Sequence, residues 1–223
     1  MKRKLGHAAR ARVVNALQDN LENIYGVRTL RAANFLVDRS RLIELRGAER
    51  APEELLLLER PRGLDIGLYI ATDVLDRLAE PGPWTASRLS AHCIAAEGVS
   101  HFIYVASRAT IGRPVSQLEL EAQAEVDKYA SVLFDLWAHG QRHASPELRA
   151  ELFHHAQYRP HLDGAQRERY RLANLLASAY ARFIETRYVL AGAFEALLRE
   201  LRRLWRLGAS EKLSHLARPL ALG

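Results

Sequence analysis

Apolar residues near the beginning of the chain recur at helical spacing. They are three or four positions apart and therefore fall on one face of an α-helix. These residues are Val13, Leu17, Leu21 and Ile24. Gly26 follows, and glycine commonly stands just beyond a helix because it tolerates the left-handed conformation. The pattern predicts a first helix over residues 5–25.

Two short apolar segments flank a turn sequence in the N-terminal third. Glu54–Arg60 contains four consecutive leucines, and Leu64–Ile70 is also rich in apolar residues. Pro61-Arg-Gly63 stands between them and has the residue types that favour a turn. Two such runs joined by a short turn are typical of a β-hairpin.

The segments beside this hairpin are less decided. In residues 27–46, Phe35-Leu-Val37 fits either a short strand or the middle of a second helix, and Gly47 ends the segment in both cases. Thr72 and Asp73 are suited to cap a short helix that runs to Leu78. We therefore expect a mixed α/β portion over residues 1–82.

From about Ser87 onward the chain has the pattern of long helices separated by glycine and proline breakers. Ser116-Gln-Leu-Glu119 matches the capping box, and Ser145-Pro146 is typical of a helix start. The sequence predicts a mostly α, α+β fold. We expect a helical body of five to seven helices with a small β-hairpin, in a single domain over residues 1–223 whose helical portion is 83–223.

Composition narrows the class of protein. The 223 residues are 48% hydrophobic and 26% charged, which is ordinary for a globular chain. The single cysteine, Cys93, has no intramolecular partner for a disulfide, which favours the cytoplasm. No stretch is long and apolar enough to cross a membrane, and the basic start lacks the apolar region of an export signal. We expect a soluble, cytoplasmic protein.

The net charge of +6 is weak grounds for a nucleic-acid partner. Only four of the 32 basic residues are lysine, and an arginine bias of this kind is what a GC-rich genome produces without any selection for a partner. Local clustering of the basic residues is the more useful signal. It occurs in one place, in the predicted helix over residues 193–207.

This C-terminal helix separates apolar and basic faces. The basic face carries the candidate partner-binding residues Arg199, Arg202, Arg203 and Arg206. Four guanidinium groups so spaced can hold phosphates or an acidic partner, and residues 2–4 would add a second basic contact. A solvated face whose arginines pair with Glu195 and Glu200 is the alternative.

A polar stripe on the apolar helix over residues 89–108 is the other candidate site. Its members are Glu97, His101, Tyr104 and Arg108. Glu97 and His101, one turn apart, suit an acid/base pair or metal ligation, and Glu125 on the next helix would complete a catalytic set. The alternatives are a solvated edge or an internal hydrogen bond for the stripe, and an ion pair with Lys128 for Glu125.

Other metal and cofactor signals are weak. The histidines at 139, 143, 154, 155 and 161 follow no ligand spacing used by zinc sites, and no phosphate loop, nucleophile elbow or Cys-x-x-Cys pair is present. We assign no metal ligands and no cofactor from the sequence.

Two functions follow from these patterns. The first is a helical interaction or accessory protein that binds an acidic protein or nucleic acid through its basic C-terminal helix. The alternative is an enzyme with a polar site between the helices that carry Glu97/His101 and Glu125, with a divalent metal as an option. Substrate and oligomeric state stay open.

Overall fold

The structure, a computed structural model, describes residues 6–49, 51–61, 63–154 and 163–221. Its helices are α1 His7–Tyr25, α2 Arg39–Arg46, α3 Thr72–Ala79, α4 Ala86–Ala109, α5 Gln117–Ala138, α6 Ser145–His154, α7 Gly164–Ile184, α8 Phe194–Arg206 and α9 Ala209–Ala217. Its strands are β1 Leu36–Val37, β2 Glu53–Arg60 and β3 Gly63–Ile70. The fold is mostly α with a small β element in the N-terminal third, as the sequence predicts.

The described residues hold nine α-helices, and six of them, α4 to α9, form the helical portion over residues 83–223, which agrees with the five to seven helices expected there. Short helices such as α2 and α9, which have eight and nine residues, offer little periodicity to detect in the sequence. The undecided segment over residues 27–46 resolves into a 3-10 turn at Ala32–Phe35, the strand β1 and the helix α2. Gly47 ends α2 at a φ of +78°, a conformation that favours glycine.

The three strands form one sheet in the order β1-β3-β2. β2 and β3 are antiparallel from the pair Arg60 and Gly63 at the turn to the pair Glu53 and Ile70, which confirms the predicted hairpin. β1 adds two parallel pairings on the other side of β3. β2 is therefore an edge strand.

Side chains at the helix starts mostly follow the expected capping chemistry. Ser116 Oγ accepts from the Glu119 backbone N–H at 3.2 Å, and the Glu119 carboxylate accepts from the Ser116 backbone N–H, so the predicted capping box is confirmed. At α3 the expectation was wrong. Thr72 is already helical there, and Ala71 occupies the capping position without a side-chain hydrogen bond.

The chain divides into two compact units. The first contains the described parts of Met1–Glu22 and Arg28–Thr110, and the second those of Asn23–Val27 and Ile111–Gly223. The change in sequence character near residue 85 thus lies inside the first unit. The single-domain assignment stays a prediction.

Each unit has its own core. In the first, α4 packs on the sheet through Gly98, where a Cβ would lie only 3.2 Å from Leu68 Cδ1. In the second, α5 and α7 bury small and large apolar side chains against each other, among them Ala130, Leu133, Ala177 and Ile184. No helix in the described part of the chain combines the length and hydropathy needed to cross a membrane.

Candidate functional site

The C-terminal helix α8 forms with its apolar side inward, as the sequence predicts. Leu197, Leu201 and Leu204 are completely buried, and Trp205 stacks on Tyr25 with ring centroids 4.4 Å apart. Burial of this stripe orients the helix, because each large apolar side chain contributes about 1.5 to 3 kcal/mol when it leaves water. The opposite side of α8 must then face solvent.

Three of the four predicted arginines lie on that solvent side. Arg199, Arg203 and Arg206 are exposed and span about 10 Å along the helix at 1.5 Å per residue. Within the described residues, no carboxylate lies within ion-pair distance of any of the three. Glu195 is the only other exposed residue of α8. The basic charge of this face is therefore left for solvent or a partner.

Glu200 lies among these arginines in the sequence but turns inward. Its Oε1 is 2.6 Å from His215 Nε2 on α9 and accepts a hydrogen bond from the Tyr180 hydroxyl at 3.2 Å. Burial alone would raise the pKa of Glu200, but the hydrogen bonds from His215 and Tyr180 and the charges of His215 and Arg203 outweigh it and lower the pKa. The carboxylate stays ionised inside the unit instead of pairing with the exposed arginines.

Arg202 has a different environment from its neighbours. It is half-buried, and its Nε and Nη2 donate to the backbone carbonyls of Ile24 at 3.0 Å and Asn23 at 3.2 Å. These carbonyls belong to the last turn of α1, where backbone oxygens lack partners within the helix. A cation there is also favoured by the helix dipole. Arg202 caps α1, and sequence analysis missed this role.

Arg113 adds a fourth guanidinium near the exposed arginines. It is exposed, and its Nη1 donates to the backbone carbonyl of Arg206 at 3.4 Å, at the C-terminal end of α8. No sequence pattern links these residues, because they are 93 positions apart. We call Arg113, Arg199, Arg203 and Arg206 the arginine face.

A buried network of polar side chains lies on the inward side of α8. Tyr25 donates to the Asp127 carboxylate, Gln123 Nε2 donates to Asp127 Oδ1 at 2.7 Å, and Lys212 donates to Gln123 Oε1. All four side chains are almost completely buried, so the charges of Asp127 and Lys212 compensate each other through the Gln123 amide. Burial and the nearby Asp127 charge raise the pKa of Tyr25, which stays a neutral donor.

This network also contacts the aromatic pair that orients α8. The Lys212 ammonium lies 5.8 Å from the centre of the Trp205 ring, which itself stacks on Tyr25. A cation at this distance from an indole face is attracted to it. The network therefore fixes α8 and α9 on α5, and it has no solvent-exposed group that could react with a substrate.

The polar stripe of α4 is largely shut away from water. His101, Tyr104 and Arg108 are buried, which contradicts the alternative of a solvated helix edge. Arg108 Nη2 donates to the Tyr104 hydroxyl at 2.8 Å, and its guanidinium lies over the Tyr104 ring at 4.7 Å. Glu97 is half-buried, and its carboxylate lies within 4.8 Å of a ring nitrogen of His101. The structure therefore brings this predicted pair together.

Glu125, the third predicted catalytic residue, belongs to the second unit. Its Oε1 accepts from Lys128 Nζ at 2.6 Å on the same helix, which is the alternative that the sequence offered. His139, His143 and His154 are exposed. The remaining predicted basic and histidine residues, at positions 2–4, 155 and 161, lie outside the described residues.

Comparison with known proteins gives no further guide to this site: no family model matches the chain, and neither a curated protein nor a solved structure is similar to it.

Proposed function

We propose that the protein is a helical interaction protein that binds the phosphate backbone of a nucleic acid through the arginine face. The proposal rests on one observation, the absence of carboxylate partners for Arg199, Arg203 and Arg206 in the described part of the chain. Guanidinium groups bind phosphate oxygens through paired N–H donors. Unpaired ones offer those donors without first breaking an internal ion pair.

The composition of the face favours a nucleic acid over an acidic protein. The exposed residues of α8 are three arginines and Glu195, and none of them is apolar. Stable protein interfaces bury an apolar core inside a polar rim, which this helix does not offer. Binding to a phosphate backbone needs only cations, because the released counterions supply the free energy. We place this activity in the cytoplasm, since a single cysteine cannot form an intramolecular disulfide.

The experiment is an equilibrium titration of a fluorescent duplex DNA of mixed sequence, with an acidic peptide of equal charge as a second ligand. We expect the duplex to bind and the R199Q/R203Q variant to bind about 50-fold more weakly near 0.1 M salt, since two phosphate contacts are lost. R41Q is the matched control, because Arg41 is equally exposed but paired with Glu44. Binding of the peptide alone would overturn the nucleic acid as partner, and an undiminished affinity of R199Q/R203Q would overturn the face itself.

The second candidate is an enzyme that uses the Glu97 and His101 pair. The supporting observation is their proximity within 4.8 Å on one turn of α4, with the His101 ring buried. A carboxylate oxygen and an imidazole nitrogen are both ligands that zinc accepts, and the same two groups suit proton transfer. Glu125 is not required in this version, because it is bound to Lys128.

Metal analysis of the purified protein tests the metal-dependent form of this candidate. A bound divalent ion in the native protein, lost in H101A and kept in H92A, would favour it. His92 is the matched control because it is also a buried histidine of α4. A metal content that is zero in the native protein, or equal in both variants, would contradict metal binding at this pair.

A further inference from the structure

The outer edge of β2 is open to another strand. The sheet order makes β2 an edge, and within the described residues no strand lies beyond it. The backbone N–H and C=O groups of alternate residues in an edge strand point away from the sheet. Every second residue of the eight in β2 thus contributes to a row of donors and acceptors that runs along a strand about 27 Å long.

The centre of β2 lacks the features that normally protect such an edge, although a buried carboxylate, Glu53, stands at its first position. Natural edge strands carry inward charges, prolines or bulges that prevent pairing with another chain. The centre of β2 is instead four consecutive leucines, and Leu57 and Leu58 are 44% and 51% exposed. Because neighbours in a strand point to opposite faces, both faces of the sheet have an exposed leucine at this edge.

The sequence of β2 is complementary to itself when two copies run antiparallel. With Leu57 opposite the second Leu57, Leu56 lies opposite Leu58, and Glu54 lies opposite Arg60. We infer that the protein forms a homodimer in which β2 pairs with β2 of a second copy. In this register leucines pair at the centre, Leu55 lies opposite Glu59 on either side of them, and opposite charges pair at both ends. The leucine pairs and the opposite-charge pairs stabilise a sheet.

The charged side chains at the two ends of β2 form only surface ion pairs within the chain, so they can also contact a second copy. Glu54 Oε1 lies 2.8 Å from Arg46 Nε in an ion pair, and Arg60 Nε donates to Asp65 Oδ2 at 2.8 Å. Both are surface ion pairs, whose contribution to stability is small. A carboxylate or guanidinium in such a pair can take a second partner, so the intermolecular contacts do not need the internal ones to break.

The first test measures oligomeric state by sedimentation equilibrium. We expect a dimer for the native chain, and about tenfold weaker dimerisation for E54R and for R60E, because each places like charges opposite each other. An equimolar mixture of E54R with R60E should dimerise again, since the two chains are complementary. A native chain that is monomeric at about 100 µM, or a mixture no tighter than either variant, would overturn the inference.

A second test separates β2 from other possible interfaces. L57K puts two cations opposite each other at the centre of the pairing, so we expect the dimer to dissociate while circular dichroism stays native. L190K is the matched control, because Leu190 is exposed to a similar degree, 53%, and lies in the second unit. A dimer that survives in L57K, or that L190K weakens as strongly, would show that another surface holds the copies together.

The dimer is independent of the proposed function. R199Q/R203Q should keep the native dimerisation constant, and L57K should keep the arginine face intact. Failure of one proposal therefore leaves a measurable result for the other.

Discussion

The two units of the protein use arginine in opposite ways. In the described part of the first unit at least eight arginines form ion pairs with carboxylates, namely Arg10, Arg28, Arg31, Arg39, Arg41, Arg46, Arg60 and Arg77. In the described part of the second unit, only Arg149 and Arg171 do so. The pairing of the charges, rather than their number, distinguishes a solvated surface from a surface suited to bind an anion.

The difference has a local cause on α8. In the first unit, Arg41 finds Glu44 one turn away, and Arg60 finds Asp65 across the hairpin. On α8 the nearest equivalent is Glu200, and His215 and Tyr180 hold its carboxylate inside. One of the two acidic residues of α8 is thus used for packing α8 against α7 and α9. The other, Glu195, is exposed but forms no ion pair with the arginines among the described residues.

Charge reversal on the arginine face should give the largest effect, a loss of duplex binding. We expect R203E to weaken duplex binding about 100-fold near 0.1 M salt, because a phosphate contact is replaced by repulsion of the backbone. The same reversal in the first unit, R41E, should change the affinity less than about threefold. Fluorescence anisotropy with one duplex for all variants measures both. Equal losses for R203E and R41E would mean that total charge, not the unpaired face, determines binding.

Removal of the Glu200 charge should give the next largest effect, a decrease in the free energy of unfolding. Its lowered pKa means that the folded state favours the ionised form, so the stabilisation is present at neutral pH and is lost as the pH falls through the lowered value. We expect E200Q to reduce the free energy of unfolding at pH 7 by about 1 to 3 kcal/mol. Urea unfolding between pH 3 and pH 7, about the range in which carboxylates titrate, measures this.

The pH profile provides the control for that experiment. The native protein should lose more stability than E200Q on acidification, since the variant has no carboxylate to protonate at this position. Parallel profiles for the two proteins would show that the inward orientation of Glu200 contributes nothing to stability.

Substitution of Arg202 should lower the stability of the fold but leave duplex binding nearly unchanged. Removing its hydrogen bonds to the α1 carbonyls leaves those oxygens unsatisfied, so we expect R202Q to lower the free energy of unfolding by about 1 to 2 kcal/mol. Duplex affinity measured well below the melting temperature should stay within about twofold of native. An affinity loss as large as that of R203E, with unchanged stability, would place Arg202 in the binding face instead.

The smallest effect is expected at a paired surface arginine. R41Q removes an exposed ion pair with Glu44 and should change the free energy of unfolding by less than about 0.5 kcal/mol. Thermal unfolding under identical conditions checks this. A loss above about 1 kcal/mol would mean that the ion pairs of the first unit are structural rather than a solvated surface.

The sequence was most informative where the pattern is local. The helical period that ends at Gly26, the leucine run before Pro61-Arg-Gly63 and the capping box at Ser116 all depend on residues a few positions apart. Helix α8 was predicted for the same reason, together with the side on which its arginines lie. Local periodicity alone could place Arg199, Arg203 and Arg206 correctly.

Long-range contacts decided the roles that the sequence left open. From its spacing, Arg202 belongs to the same helix face as its neighbouring arginines. Its guanidinium instead donates to a backbone carbonyl at the end of α1, 178 residues earlier in the chain. The sequence allowed, as an alternative, that Glu200 pairs with the arginines, whereas its carboxylate is held inside by His215 of α9 and by Tyr180. Arg113 joins the face from the segment before α5. None of these contacts has a spacing that a sequence pattern could show.

The salt dependence of duplex binding tests the central claim most directly. If the four guanidinium groups of the arginine face each neutralise one phosphate, a plot of log affinity against log salt concentration has a slope of about −3.6. The slope for R199Q/R203Q should then be about −1.8, whereas R41Q keeps the native value. A slope near zero for the native protein, or one that R41Q reduces as much as R199Q/R203Q does, would contradict the account.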